Sequence, residues 1–308
     1  VIVPRVSPVS FVTRRLGGVV AVAWALLATA CDARHVLLGD GRGREQTGNG
    51  DAGAGDPTPL RGVVPEDAGK TSDDDPSLTA DLTLMLFDSK RSGGDGKEDI
   101  WETRRSSTTA EWDEPRRASV LDTASRETGI ALTEDGLTVY FSSDREESSG
   151  GLDVFVATRS SVDAEWTAPE RVPELCTDGD DLVSAVDPTS GALLMAHRED
   201  DGDDYDVWIA ARSSAGFDAP TPVTEVNTDG EESDAFLVED GKVLVFTRDE
   251  DLVMATRESP TSEFGAPVPV PGLNSDDDDR DVWATPDFRY VVFASDRSGS
   301  YRLYEARR

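Results

Sequence analysis

The chain has 308 residues, a formal net charge of −32, two cysteines and two histidines. Such an acidic balance repels nucleic-acid phosphates and anionic lipid headgroups, so nucleic acid is excluded as a partner and any membrane contact must run through an attached anchor. His35 and His197, both read as surface imidazoles, leave no histidine metal cluster and no Ser-His-Asp set.

In chain order, Arg14 and Arg15 precede an apolar run from Leu16 to Ala30 that ends in "LATAC". A charged flank followed by an apolar stretch too short for a typical span predicts a signal peptide over residues 1–30. The end of the run has two readings. It resembles a bacterial lipobox, with Cys31 lipidated and Ala28 where the family prefers leucine; Ala28-Thr29-Ala30 is also an A-x-A cleavage site. The lipoprotein is the reading taken. Residues 31–56, with "GDGRGREQTGNGDAGAGD", have almost nothing to bury and are expected to form a tether. With Cys31 lipidated no disulfide is available, and Cys176 is read as a semi-buried thiol at a strand end.

The remainder, 57–308, is repetitive. Phe87, Phe141, Met195, Phe246 and Phe293 each end an apolar burst, at steps of 54, 54, 51 and 47 residues. A second burst follows in every copy and closes at Arg104, Arg159, Arg212, Arg257 or Arg307. "EWDEP", "EWTAP", "GFDAP" and "EFGAP" then follow the first four copies, at Trp112, Trp166, Phe217 and Phe264. The second copy divides into strands at 129–133, 137–141, 152–159 and 166–172, with Glu134-Asp135-Gly136 turning the chain between the first two. Four short strands per period near 50 predict an all-β, five-bladed β-propeller of four-stranded blades. The fifth copy stops at Arg308 without a last strand, while residues 57–64 supply one with no blade of its own. An N-terminal strand is therefore expected to close the last blade and complete a monomeric ring.

The repeats resemble the WD40-like propeller repeats of the TolB type, S-P-D-G-x-x-I-x-F-x-S-D-R-x-G-x-x-D-I-Y. Copy two carries Asp135, Gly136, Phe141, Ser143, Asp144, Arg145, Asp153 and Phe155, and copy five carries Pro286, Asp287, Phe293, Ser295, Asp296, Arg297, Gly299 and Tyr304. Copies three and four lose the Ser-Asp step. The resemblance implies an exported, envelope-facing protein with protein partners, and no catalysis. The Asp-Arg step itself (Asp144-Arg145, Asp296-Arg297) reads as scaffolding. The acid would bind backbone N–H groups and the arginine would pair with acids of a neighbouring loop.

The acids gather on one face. The loops entering each repeat hold Asp74, Asp75, Asp180, Asp181, Glu231, Glu232, Asp277 and Asp278. Such a ring of carboxylates fits a basic protein segment or calcium, with no other cofactor implied. The expected function is thus a non-catalytic protein-interaction module. The alternative is a carbohydrate-active propeller, either sugar-binding or a glycosidase drawing its acids from Glu127, Asp187, Asp234 and Asp281 near the channel.

Overall fold

The computed structural model describes residues 55–63, 72–199 and 202–308. The signal peptide, Cys31, His35 and the tether up to residue 54 lie outside the described residues. Strand β1 (Thr58–Pro59) comes first and waits for its sheet. Blade one is β2 (Asp73–Leu78), β3 (Leu84–Ser89), β4 (Asp99–Arg104) and β5 (Arg116–Arg117); blade two is β6 (Glu127–Leu132), β7 (Thr138–Ser143), β8 (Asp153–Thr158) and β9 (Glu170–Arg171). Blade three has β10 (Asp180–Val186), β11 (Leu193–Arg198) and β12 (Asp206–Ala210). A small hairpin of β13 (Arg212–Ser213) and β14 (Gly216–Phe217) then precedes its outer strand β15 (Thr221–Pro222). Blade four is β16 (Glu232–Val238), β17 (Val243–Arg248), β18 (Asp251–Thr256) and β19 (Val268–Pro269). Blade five has β20 (Asp279–Ala284), β21 (Tyr290–Ser295) and β22 (Arg302–Arg307), and β1 completes it by pairing antiparallel with β22, Thr58 opposite Glu305. These are the five four-stranded blades of a propeller closed by its N-terminal strand. No helix among the described residues is long and apolar enough to cross a membrane.

The periodic residues form the core. Phe87, Phe141, Met195, Phe246 and Phe293 are all 0% exposed. Each sits mid-blade, covered by sheets on both sides, which is why these bursts lack polar alternation. The fourth strand of each blade is shorter than the sequence suggests. In blade two only Glu170 and Arg171 pair, because Pro169 has no N–H to give a ladder. The preceding Trp166 turns inward instead, under Arg159 at 4.1 Å. Arg105 over Trp112, Arg212 over Phe217 and Arg257 over Phe264 repeat this stack at 4.2, 4.6 and 4.2 Å. In blade one the stacking arginine is thus Arg105; Arg104 pairs with Glu102 and Asp163.

A second repeated device ties the first two strands of each blade together. The first strand opens on a buried acid: Asp73, Glu127, Asp181, Glu232 or Asp279, each 0% exposed. Arg91, Arg145, Arg248 and Arg297 reach four of them at 2.6, 3.1, 2.7 and 2.5 Å. Blade three uses His197, whose Nδ1 lies 3.1 Å from Asp181 Oδ1. His197 is therefore a buried latch and not a surface imidazole. The repeat arginine pairs with its own blade's strand and not with a neighbouring loop. Asp144 accepts the Arg126 N–H at 2.7 Å and Asp296 accepts the Asp278 N–H at 3.0 Å. Asp135 and Gly136 (φ 69°) form the turn before β7, with Asp135 Oδ1 accepting from Thr133 Oγ1.

A candidate cation site in the channel

The inner strands β2, β6, β10, β16 and β20 surround the propeller axis, and all five carry a register shift, after the second residue in β2, β6, β16 and β20 and after Val183 in β10. The residue two places after each latch acid is Asp75, Gly129, Val183, Asp234 or Asp281. At Asp75, Gly129, Asp234 and Asp281 the backbone is left-handed, with φ of 50°, 59°, 51° and 54°. Aspartate tolerates this conformation better than most residues, though still at a cost of about 1 kcal/mol or more. A bulge re-aims the side chain it carries. Here the result is that oxygens of Asp75, Asp234 and Asp281 lie within 4.8 Å of one another.

The surroundings only partly neutralise this group. Asp75 Oδ2 accepts from Gly129 N at 2.7 Å and Thr128 Oγ1 at 2.9 Å, and Asp234 Oδ2 accepts from Ser233 Oγ at 2.8 Å. Arg280 is the nearby cation, 3.2 Å from Asp74 and 3.3 Å from Asp281. Asp281 Oδ2 nevertheless has no hydrogen bond. Asp88, on β3 and 1% exposed, lines the same cavity, and its Oδ1 is also without a partner. Burial, then the Asp234 charge, pushes the Asp75 carboxyl up to about 6. Burial and the same neighbouring carboxylates hold Asp88 and Asp281 well above the ordinary range.

The cavity around them has a volume of about 730 Å³, and its lining holds eleven carboxylates against four basic side chains. Of the eight acids singled out from sequence, Asp74, Asp75, Glu231 and Asp278 line it. Three of the others are corrections, lying in strands and not in loops, while Asp277 keeps its expected exposed place. Asp181 and Glu232 are strand residues buried in the latches, and Asp180 is held by Arg198 and Tyr205. Asp277 is exposed but outside the cavity lining. Among the four glycosidase candidates, Asp234 and Asp281 reach the channel. Glu127 is latched to Arg145, and Asp187 accepts the Ser190 N–H at 2.9 Å in the β10–β11 turn. Asp88 and Arg280 were not anticipated. The repeat register did hold the signal for Asp88: it follows Phe87 where the other copies have Ser142, Ala196, Thr247 and Ala294.

A second acid group, Asp99, Asp122 and Glu127, differs in kind. Its oxygens already accept from Asp95 N, Ile100 N, Arg117 Nε and Thr123 N at 2.8–2.9 Å, so it braces loops. Cys176 is half-buried, and burial raises its thiol to about 12. It is no nucleophile at neutral pH.

No protein-family model and no curated protein matches the chain. Solved structures do resemble its fold. An endo-arabinase from Bacteroides thetaiotaomicron superposes with a TM-score of 0.52 at 12% identity, covering 82% of this chain and 97% of that one. A TolB structure from Agrobacterium tumefaciens gives 0.48 and 14%, covering 74% and 70%. TolB from Acinetobacter baumannii gives 0.42 and 13%, covering 78% of this chain and 55% of that one. The repeats thus build a five-bladed propeller. Identities this low speak to fold alone, and propellers host unrelated activities.

Proposed function

We propose that this is a non-catalytic propeller of the bacterial cell envelope. On this reading its acidic channel holds a divalent cation, calcium by preference, and its acidic mouth docks a basic segment of an envelope protein. Export and a lipid anchor at Cys31 belong to the same reading and rest on the "LATAC" run. The observation that carries the proposal is the convergence of Asp75, Asp234 and Asp281 with the unpartnered Asp88 oxygen beside them. Uncompensated carboxylates in a partly dehydrated channel are costly, and a bound cation offsets that cost. Calcium suits an irregular set of oxygens better than magnesium does.

The carbohydrate-active alternative uses the same acids as proton donor and base. One oxygen from each of Asp75, Asp234 and Asp281 lies within 4.8 Å of the others, so the two readings are separated by assay.

The test is titration with an oligoarginine peptide at rising salt, alongside a panel of aryl glycosides. The proposal expects peptide binding that weakens as salt rises and falls further in Glu231→Gln/Asp278→Asn, with no glycoside turnover. Peptide binding that ignores those two changes places the docking surface elsewhere. Turnover abolished by Asp234→Asn overturns the non-catalytic reading.

A further inference from the structure

The two ends of the channel differ in chemistry. At the end opposite the acidic mouth, the last residues of the inner strands and their turns enclose a pocket of about 280 Å³. All five blades contribute. Leu78, Leu132, Val186 and Leu237 form its aliphatic wall, and Phe236 meets Trp283 edge-on with ring centres 6.1 Å apart. Ala80, Ala185 and Ala284 leave open the space that larger side chains would close. The polar lining offers water little. Ser77 Oγ already accepts the Leu132 N–H at 2.9 Å, and Thr285 Oγ1 donates to Asp287 at 2.7 Å. Glu134 at the rim is the one charged lining residue among the described residues, and its carboxylate is exposed and without an ion pair there.

We infer that this pocket binds a small apolar ring bearing a positive charge, in chemical class an arylalkyl amine. The walls select the ring. An apolar hollow is poorly wetted, and one of about 150 Å³ already accepts benzene, so this one has room for a ring and a short arm. Atoms lining an unfilled space forgo dispersion contacts that a ring restores. Glu134 selects the charge, since an ammonium at the rim completes a carboxylate that the protein leaves unmatched. This site is independent of the acidic mouth and of any cation there.

The test is calorimetry on the full chain with phenethylamine, 2-phenylethanol and phenylacetate. These share the ring and two-carbon scale and differ in charge. The amine is expected to bind best and the anion worst. Val186→Trp, which fills the pocket, should weaken the amine about tenfold or more. Ala80→Phe, at an exposed turn position, should act in the same direction if the tryptophan variant fails to melt cooperatively. Glu134→Gln should bring the amine and the alcohol to similar affinity. Asp234→Asn should leave the amine unchanged. The inference is overturned if no probe binds, or if the alcohol equals the amine in the unaltered protein. It is also overturned if amine binding survives both pocket-filling variants and is lost in Asp234→Asn, which would assign it to the acidic mouth.

Discussion

Replacing Leu60 by alanine tests whether residues 55–63 belong to the cooperative fold. Leu60 is 1% exposed and joins the core cluster that contains Phe293 and Leu303, just beyond the two-residue strand that closes the ring. Its backbone N–H donates to Leu303 O at 2.9 Å, and Gly55 N donates to Arg307 O at 3.0 Å. Both bonds survive the change, so the loss is one of packing. A fully buried leucine cut to alanine costs roughly 2–5 kcal/mol, the upper end applying where the site cannot collapse. This site lies between sheets fixed by their own ladders, which argues for about 3 kcal/mol or more against a total stability of roughly 5–15. Urea unfolding followed by fluorescence reads this directly. The midpoint should fall with the slope unchanged, because the same surface is exposed on unfolding. Thr58→Ala, at an exposed position of β1, should stay within about 0.5 kcal/mol. A Leu60→Ala midpoint indistinguishable from that of Thr58→Ala would refute closure by this segment.

Other outcomes follow from the latches and the channel. Arg145→Ala should cost about 3 kcal/mol by urea unfolding, the low end for a broken buried pair, because Glu127 keeps Thr123 N at 2.9 Å and Ser143 Oγ at 2.9 Å; a loss under about 1 kcal/mol would mean the latch is decorative. The hydrogen bond to Asp181 raises the His197 pKa. Its stabilisation is therefore complete below the unfolded value near 6.5 and is lost as pH rises through the higher folded value. His197→Gln should flatten that slope, and an unchanged pH profile of melting temperature would contradict it. Asp75 keeps its proton to about 6 when folded against 3.8 as its reference. Without divalent cations, stability should fall as pH rises through that window, and Asp75→Asn should melt higher than the unaltered protein above pH 6 and alike below pH 4.

Much of the fold was legible because each blade repeats one packing problem. A core residue must recur at Phe87, Phe141, Met195, Phe246 and Phe293, so spacing alone marks the blades, and the missing last strand points to its donor. Strand ends were less legible. Asp73–Asp75 and Asp279–Asp281 read as solvated loops, since runs of acids usually are, yet they begin β2 and β20. What places them in strands is an arginine some 18 residues later, Arg91 or Arg297, whose partner cannot be read from local composition. The channel group was half-visible. Asp234 and Asp281 stood out as acids near the channel, but their meeting with Asp75 depends on a bulge and a left-handed backbone, which sequence does not announce. His197 was misread because a lone histidine is commonly exposed. Its repeat position, opposite the acid of the first strand, marked it as a latch.

The most direct test of the channel as a cation site is calorimetric titration of calcium into the protein and into Asp234→Asn, in about 0.15 M sodium chloride to screen the surface. A calcium site in the channel should give one saturable event for the unaltered protein, weaker for magnesium and reduced about tenfold or more by the substitution. Heats that match magnesium and ionic-strength-adjusted sodium chloride, and that Asp234→Asn leaves unchanged, would contradict it.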